Sequence, residues 1–146
     1  MIFIFSGKLL EEFYGKVDFS FLREYSSGTK GERILHADDM DIALQGFASL
    51  IKTMGKDGHK IVGQATSIEG VEKILKKGLR PTVAFIDNSF PNKGDGEKAA
   101  ALVREISPET IIVSLSGDEN VRWGDHNLLK LLSRDQLADF LLNLQH

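Results

Sequence analysis

The sequence predicts an α/β protein built around an open, doubly wound parallel sheet. Two apolar runs, TVAFID (Thr82 to Asp87) and TIIVSL (Thr110 to Leu115), are continuous rather than alternating, as strands covered on both faces must be. Segments with apolar residues at helical spacing fall between such runs. Strand and helix signals in alternation imply crossovers between parallel neighbours, which place helices on both sides of one sheet.

The pattern begins after SSGTKGE (Ser26 to Glu32), a Gly/Ser/Lys stretch with the composition of a linker. Residues 1–31 are therefore read as an extension and linker, and residues 32–146 as the main domain. The extension holds Phe3, Phe5, Phe13, Phe19 and Phe21, more than half of the nine phenylalanines. Leu9, Leu10, Phe13 and Val17 predict a short amphipathic helix over Lys8 to Lys16. So much aromatic surface calls for burial. Packing on the chain's own domain is expected ahead of a homodimer contact.

Within the domain, RILHA (Arg33 to Ala37) is the first strand and runs into Asp38-Asp39. From Asp41, the residues Ile42, Leu44, Phe47, Ala48, Leu50, Ile51 and Met54 form a wide apolar helical stripe, stopped by Gly55. HKIVGQA (His59 to Ala65) is the second strand. Thr66 and Glu69 have capping-box spacing and open a helix through Leu75 that stops at Gly78. Pro81 precedes the third strand, TVAFID, and the loop NSFPNKGDG follows it. A helix is expected over Glu97 to Ile106, which Pro108 prevents from continuing. TIIVSL is the fourth strand and Leu128 to Leu131 the fifth, while Ser133 with Gln136 caps a last helix to about Leu144.

Composition narrows the function. At 146 residues, 42% hydrophobic and 27% charged, the chain can bury a core. The absence of cysteine excludes disulfides, thiolate zinc sites and cysteine nucleophiles. Eighteen basic and twenty-one acidic residues give a net charge of -3 with no long basic run, so no dedicated nucleic-acid surface is expected. No apolar stretch approaches the roughly 18 residues that span a bilayer, and MIFIFSGKLL lacks a basic leader. A cytoplasmic location is expected, with no membrane partner. No GxGxxG follows a strand and no GKS or GKT occurs, which removes the common phosphate-loop sites.

In doubly wound sheets, ligands bind at the carboxyl ends of the strands. Asp38 and Asp39 follow the first strand, Asp87 ends the third, Ser116 follows the fourth and Lys130 lies in the fifth. Three carboxylates on one rim repel each other, and at least one protonates unless a cation neutralises them. Oxygen-only ligands including a few carboxylates suit Mg²⁺, which completes its shell with water and a phosphoryl oxygen. The residues alone thus predict a Mg²⁺-dependent acidic pocket able to handle phosphoryl groups. Each has a plainer use as well: Asp38-Asp39 as a solvated turn with capping carboxylates, Ser116 as a turn residue, Lys130 as a charge on an edge strand. His36, inside an apolar strand, reads as a hydrogen-bonded core residue, and His59 and His126 as solvent-facing loop residues.

RILHADD, FIDNSFP with proline four residues after the aspartate, VSLSG and LLKLL, in this order on successive strand ends, resemble the receiver domain of two-component response regulators. The resemblance covers the chain from about Arg33 to its end. It implies the flavodoxin-like strand order 2-1-3-4-5. Asp87 would be the phosphoacceptor, with Lys130 and Ser116 completing the catalytic set. Mg²⁺ would be held by Asp38, Asp39, Asp87 and the carbonyl of Ser89. Ser89 and Asp118 stand where the family tunes phosphoryl lifetime. The partners implied are a histidine kinase or histidine phosphotransfer protein and a downstream protein.

The chain departs from the family between the last two strands. Only thirteen residues separate Ser116 from Lys130, where the family fits a whole helix and both its loops. GDENVRWGDH has two glycines and little apolar periodicity, so the fourth helix is expected to be reduced or absent. Asn127 stands where the family commonly has a switching aromatic, and Leu131 where proline is usual. Trp123 is expected to cap the core that the lost helix exposes rather than to replace that aromatic.

Three functions follow as expectations. The first is a stand-alone receiver signalling through protein contacts, since the length leaves no room for an output domain, with no turnover beyond its own phosphorylation and dephosphorylation. The second is a pseudo-receiver, a constitutive interaction module without a switch. The third, a metal-dependent phosphohydrolase, lacks a general acid two residues beyond Asp87, where Ser89 stands.

Overall fold

A computed structural model describes residues 31–146. The phenylalanine-rich extension, its helix over Lys8 to Lys16 and most of the linker lie outside the described residues. The elements are β1 (Arg33–Ala37), α1 (Asp41–Lys52), a 3-10 turn (Gly55–Asp57), β2 (Lys60–Ala65), α2 (Ile68–Lys76), β3 (Val83–Asp87), α3 (Asp95–Ile106), β4 (Ile111–Ser116), β5 (His126–Leu129) and α4 (Arg134–Leu142). All neighbouring strands are parallel, in the order β2-β1-β3-β4-β5. The expected doubly wound sheet, its order and the missing fourth helix are all present.

Alternation along the strands divides the core into two layers. Leu35, Ala37, Ala84, Ile86 and Ile112 face α2 and α3, meeting Val71, Leu75, Ala99, Ala100 and Val103. Ile34, Val83, Phe85, Val113 and Leu115 face the other way, onto Ile51 of α1, Met54 just beyond it, and Leu137 and Leu141 of α4. Every residue of β3 is buried, which is why its sequence reads as a continuous apolar run.

Local signals shift by a residue or two. The cap of α2 is Ser67, whose side chain accepts the Gly70 N–H, and not Thr66. The helix expected from Glu97 starts at Asp95, after Gly94 turns the chain at φ 91. The capping box of Ser133 and Gln136 forms as read, and α4 ends at Leu142. Strand β5 occupies residues His126–Leu129, so Lys130 follows the strand and His126 begins it. The turn out of β5 uses Leu131 at φ 73, a left-handed conformation costing a non-glycine residue roughly 1 kcal/mol.

Glu32, the last residue of the SSGTKGE stretch and the first of the main domain, is buried at the amino edge of the sheet. Its carboxylate accepts from Thr82 Oγ1 at 2.5 Å and pairs with His146 Nε2 at 2.7 Å. Its N–H donates to His59 Nδ1 at 2.9 Å, so His59 is a partner of the fold rather than a free loop residue.

Residues 117–125 join β4 to β5 without a helix. Where a helix would demand apolar side chains, the fully buried Ser114 donates its hydroxyl to Asn127 Oδ1 across the strands at 2.7 Å. Asp125 Oδ2 accepts the Ile112 N–H at 2.8 Å, a donor that β5 starts too late to meet. Trp123 packs against the α2/α3 layer as the expected cap.

Helix α3 approaches the end of β3 through Gly96. A Cβ there would sit 2.2 Å from the Asp87 carbonyl oxygen and 2.8 Å from both Asn88 Cα and Trp123 Cζ2. Two of these are rigid backbone atoms, so Gly96→Ala is expected to cost about 3 kcal/mol in urea unfolding, at the upper end of overpacking effects.

Candidate functional site

The chain leaves β1 toward β2 on one side and β3 toward β4 on the other, so the switch point lies between β1 and β3. Asp38 follows β1 and Asp87 ends β3 at that point. Both are buried, at 2% and 3% exposure, while Asp39 is exposed. Oxygen atoms of Asp38, Asp39 and Asp87 all lie within 4.8 Å of one another.

Each buried carboxylate divides its oxygens between backbone and cation. Asp38 Oδ1 accepts the Met40 N–H at 3.0 Å, and Asp87 Oδ1 accepts the Ser89 N–H at 3.3 Å. Such turns, closed by an aspartate onto an amide two residues on, orient the carboxylates toward the rim. The other oxygens face Lys130, whose Nζ lies 2.8 Å from Asp87 Oδ2 and 3.6 Å from Asp38 Oδ2. Lys130 is placed by its N–H, which donates to the Ser116 carbonyl at 2.8 Å.

Ser116 is buried beside Asp87, since Asp87 pairs in register with Leu115 on β4. Its Oγ accepts the Asp118 N–H at 2.9 Å, which leaves the hydroxyl proton free to donate. Asp118 Oδ1 accepts the Asn120 N–H at 2.8 Å and so turns into its own loop. Ser89 lies two residues past Asp87 and forms an antiparallel bridge with Lys93.

Burial raises the Asp87 pKa, opposed by the Lys130 hydrogen bond and charge and reinforced by the Asp38 charge. Burial tends to lower Lys130, but its hydrogen bond to Asp87 and the charges of Asp87 and Asp38 outweigh that, and its pKa is raised. Lys130 pairs with Asp38 and Asp87 while the Asp39 carboxylate stands beside them, so three carboxylates gather around one ammonium and a further cation would be accommodated. An all-oxygen donor set of this kind fits a hard divalent cation such as Mg²⁺.

His36 departs from the sequence reading. It is buried and its ring lies on Phe47 with centroids 4.2 Å apart, but Nδ1 has no hydrogen-bond partner among the described residues. Burial, and then the charge of Lys130, lower its pKa to about 4. Sequence reasoning also missed Asn88, whose Oδ1 accepts Trp123 Nε1–H at 2.9 Å. Its position directly after Asp87 was the one available signal.

No family model and no curated protein sequence matches the chain. Solved structures do. The signal receiver domain of NarL from Mycobacterium tuberculosis superposes with a TM-score of 0.65 at 23% identity, covering 78% of this chain and 95% of that one. The REC domain of AraT, a response regulator from Geobacillus stearothermophilus, gives 0.60 at 24%, covering 76% and 90%. RcsB from Salmonella enterica serovar Typhimurium, bound to promoter rprA in the presence of phosphomimetic BeF3⁻, gives 0.65 at 21%, covering 77% and 66%. The described chain has the fold of response-regulator receiver domains. Among the described residues, no helix is long and apolar enough to cross a membrane.

The His36 environment has a sign that can be measured in the metal-free protein. Between pH 6.5 and about 4 the unfolded chain holds the His36 proton more tightly than the folded one. The stability His36 contributes is thus complete above pH 6.5 and is lost as pH falls toward 4, by up to about 3 kcal/mol. Asp87 has the opposite sign, being raised. In EDTA, the difference between wild type and His36→Phe in urea unfolding across this window is expected to isolate the histidine slope.

Proposed function

We propose that the chain is a phosphoacceptor receiver whose Asp87 takes a phosphoryl group from a histidine kinase or histidine phosphotransfer protein. One observation carries the reading: Asp87, buried at the switch point, is held between two further carboxylates and the Lys130 ammonium. The receiver fold of the chain supports it.

In the proposed step an Asp87 carboxylate oxygen attacks phosphorus of a phosphohistidine. A P–O bond forms, the P–N bond breaks, and its electron pair stays on the donor imidazole. Asp87 leaves as an acyl phosphate. Phosphoryl transfer asks the protein mainly for positioning and charge neutralisation. Lys130 pairs with one phosphoryl oxygen, and the Ser116 hydroxyl donates to another while its own oxygen stays on the Asp118 N–H. Asp38, Asp39, Asp87 and the Ser89 carbonyl would hold Mg²⁺, which when bound supplies the remaining neutralisation of charge. Phosphoryl loss to water returns the carboxylate, so the chain turns over only itself. Output would pass through a downstream protein.

A pseudo-receiver is the second reading, favoured by Asn127. Its side chain lies 2.7 Å from Ser114 Oγ, donates to the Gly124 carbonyl at 3.2 Å and accepts the Gly124 N–H at 2.9 Å, so no side chain at this position is free to swing.

Incubation of the full chain with acetyl phosphate and Mg²⁺ is expected to add one phosphoryl group, read by intact mass. Asp87→Asn abolishes the adduct, EDTA prevents it, and Lys130→Met slows its formation by about 100-fold, the scale of losing one charge-stabilising group. A folded wild type with no adduct refutes the phosphoacceptor reading and leaves the interaction module.

A further inference from the structure

Trp123 is the chain's single tryptophan, and the acidic pocket makes no direct use of it. It stands on the helix-free connection between β4 and β5, yet its indole N–H donates to Asn88 Oδ1, on the residue bonded to Asp87. Asn88 is engaged on its other groups as well: its N–H donates to the Leu115 carbonyl at 2.9 Å, and its carbonyl accepts from Gly96 at 3.2 Å. The indole lies against Gly96, which itself lies against the Asp87 carbonyl, with no intervening side chain. On the far side, the Trp123 carbonyl accepts from the Arg104 guanidinium at 2.7 Å.

We infer that Trp123 and Asn88 form the link through which the chemical state of Asp87 sets the conformation of residues 117–125. This rests on the phosphoacceptor reading and assigns that site its route of regulation. Acyl-phosphate formation moves the anionic partner of Lys130 outward from Asp87 Oδ2 onto phosphoryl oxygens. It also converts the carboxylate that now accepts from Ser89 into an ester-like group with weaker acceptors. The strain this places on residues 87–89 reaches Asn88 first. A modification shifts a conformational equilibrium only through a contact that differs between states, and the Asn88–Trp123 hydrogen bond is that contact.

The connection is suited to respond. A helix there would hold itself through its own backbone bonds, whereas these residues are tied by Trp123, by Asp125 on Ile112, and by the Ser116–Asp118 and Asp118–Asn120 turns. Asn127, fixed by Ser114 and Gly124, cannot play the part.

The test uses the full ¹⁵N-labelled chain with Mg²⁺ and beryllium fluoride. Adduct formation is read by ¹⁹F NMR, and Trp123 by its indole N–H cross-peak. The indole peak and the amides of residues 117–125 are expected to move in proportion to adduct. Trp123→Phe, which keeps a ring and deletes the donor, is expected to form the adduct while those amides lose most of their shift, and Asn88→Ala to behave likewise. An adduct with an unmoved wild-type indole, or full amide responses in both variants, overturns the link and leaves the phosphoacceptor reading standing. A folded wild type that forms no adduct overturns both.

Discussion

The organising constraint in this protein is the gathering of like charge at the one place where the sheet topology opens a crevice. Two aspartates are nearly inaccessible there, and a third stands beside them. Burying ionised carboxylates is costly unless each finds both hydrogen bonds and an opposite charge. The surrounding structure reads as the answer to that cost. Each buried aspartate closes a turn onto its own backbone, and the segment after β5 delivers one ammonium to both. The geometry of three separate connections is thereby tied to a single electrostatic requirement.

The second feature is that the sheet does without a helix between its last two strands. Ser114 and Asn127 satisfy each other on the face where a helix would lie, so the last two strands are finished on that side rather than stripped. The indole of Trp123 closes the remaining apolar edge, and Asp125 answers the amide that the short strand leaves exposed. Parallel neighbours ordinarily need a crossover of a dozen or more residues, usually helical, and residues 117–125 make it without a helix. Here three polar side chains, Ser114, Asn127 and Asp125, together with the Trp123 indole take over what a helix would supply.

What was legible in the sequence follows the range of the interactions involved. The ends of β1 and β3 were plain because charge interrupts apolar runs at Asp38 and Asp87. The Ser133–Gln136 cap was plain because both partners are three residues apart. Thr66 was taken for the cap because Glu69 stands three residues on, whereas Ser67 has only Gly70 there, and the backbone path alone shows that the Ser67 hydroxyl reaches the Gly70 amide. The buried role of Glu32 was not legible because its side-chain partners lie 50 and 114 positions away. His36 was assigned a hydrogen bond that its Nδ1 does not make among the described residues, since its ring neighbour Phe47 offers no acceptor. The Asn88–Trp123 bond spans 35 positions, and neither residue type announces the other.

The Glu32–His146 pair has a practical corollary. The polypeptide path enters β1 and comes off the last helix side by side, at the edge of the sheet remote from the aspartates. A second protein could therefore be spliced onto either strand of that junction, or the whole unit inserted into a host loop, without obstructing the acidic crevice.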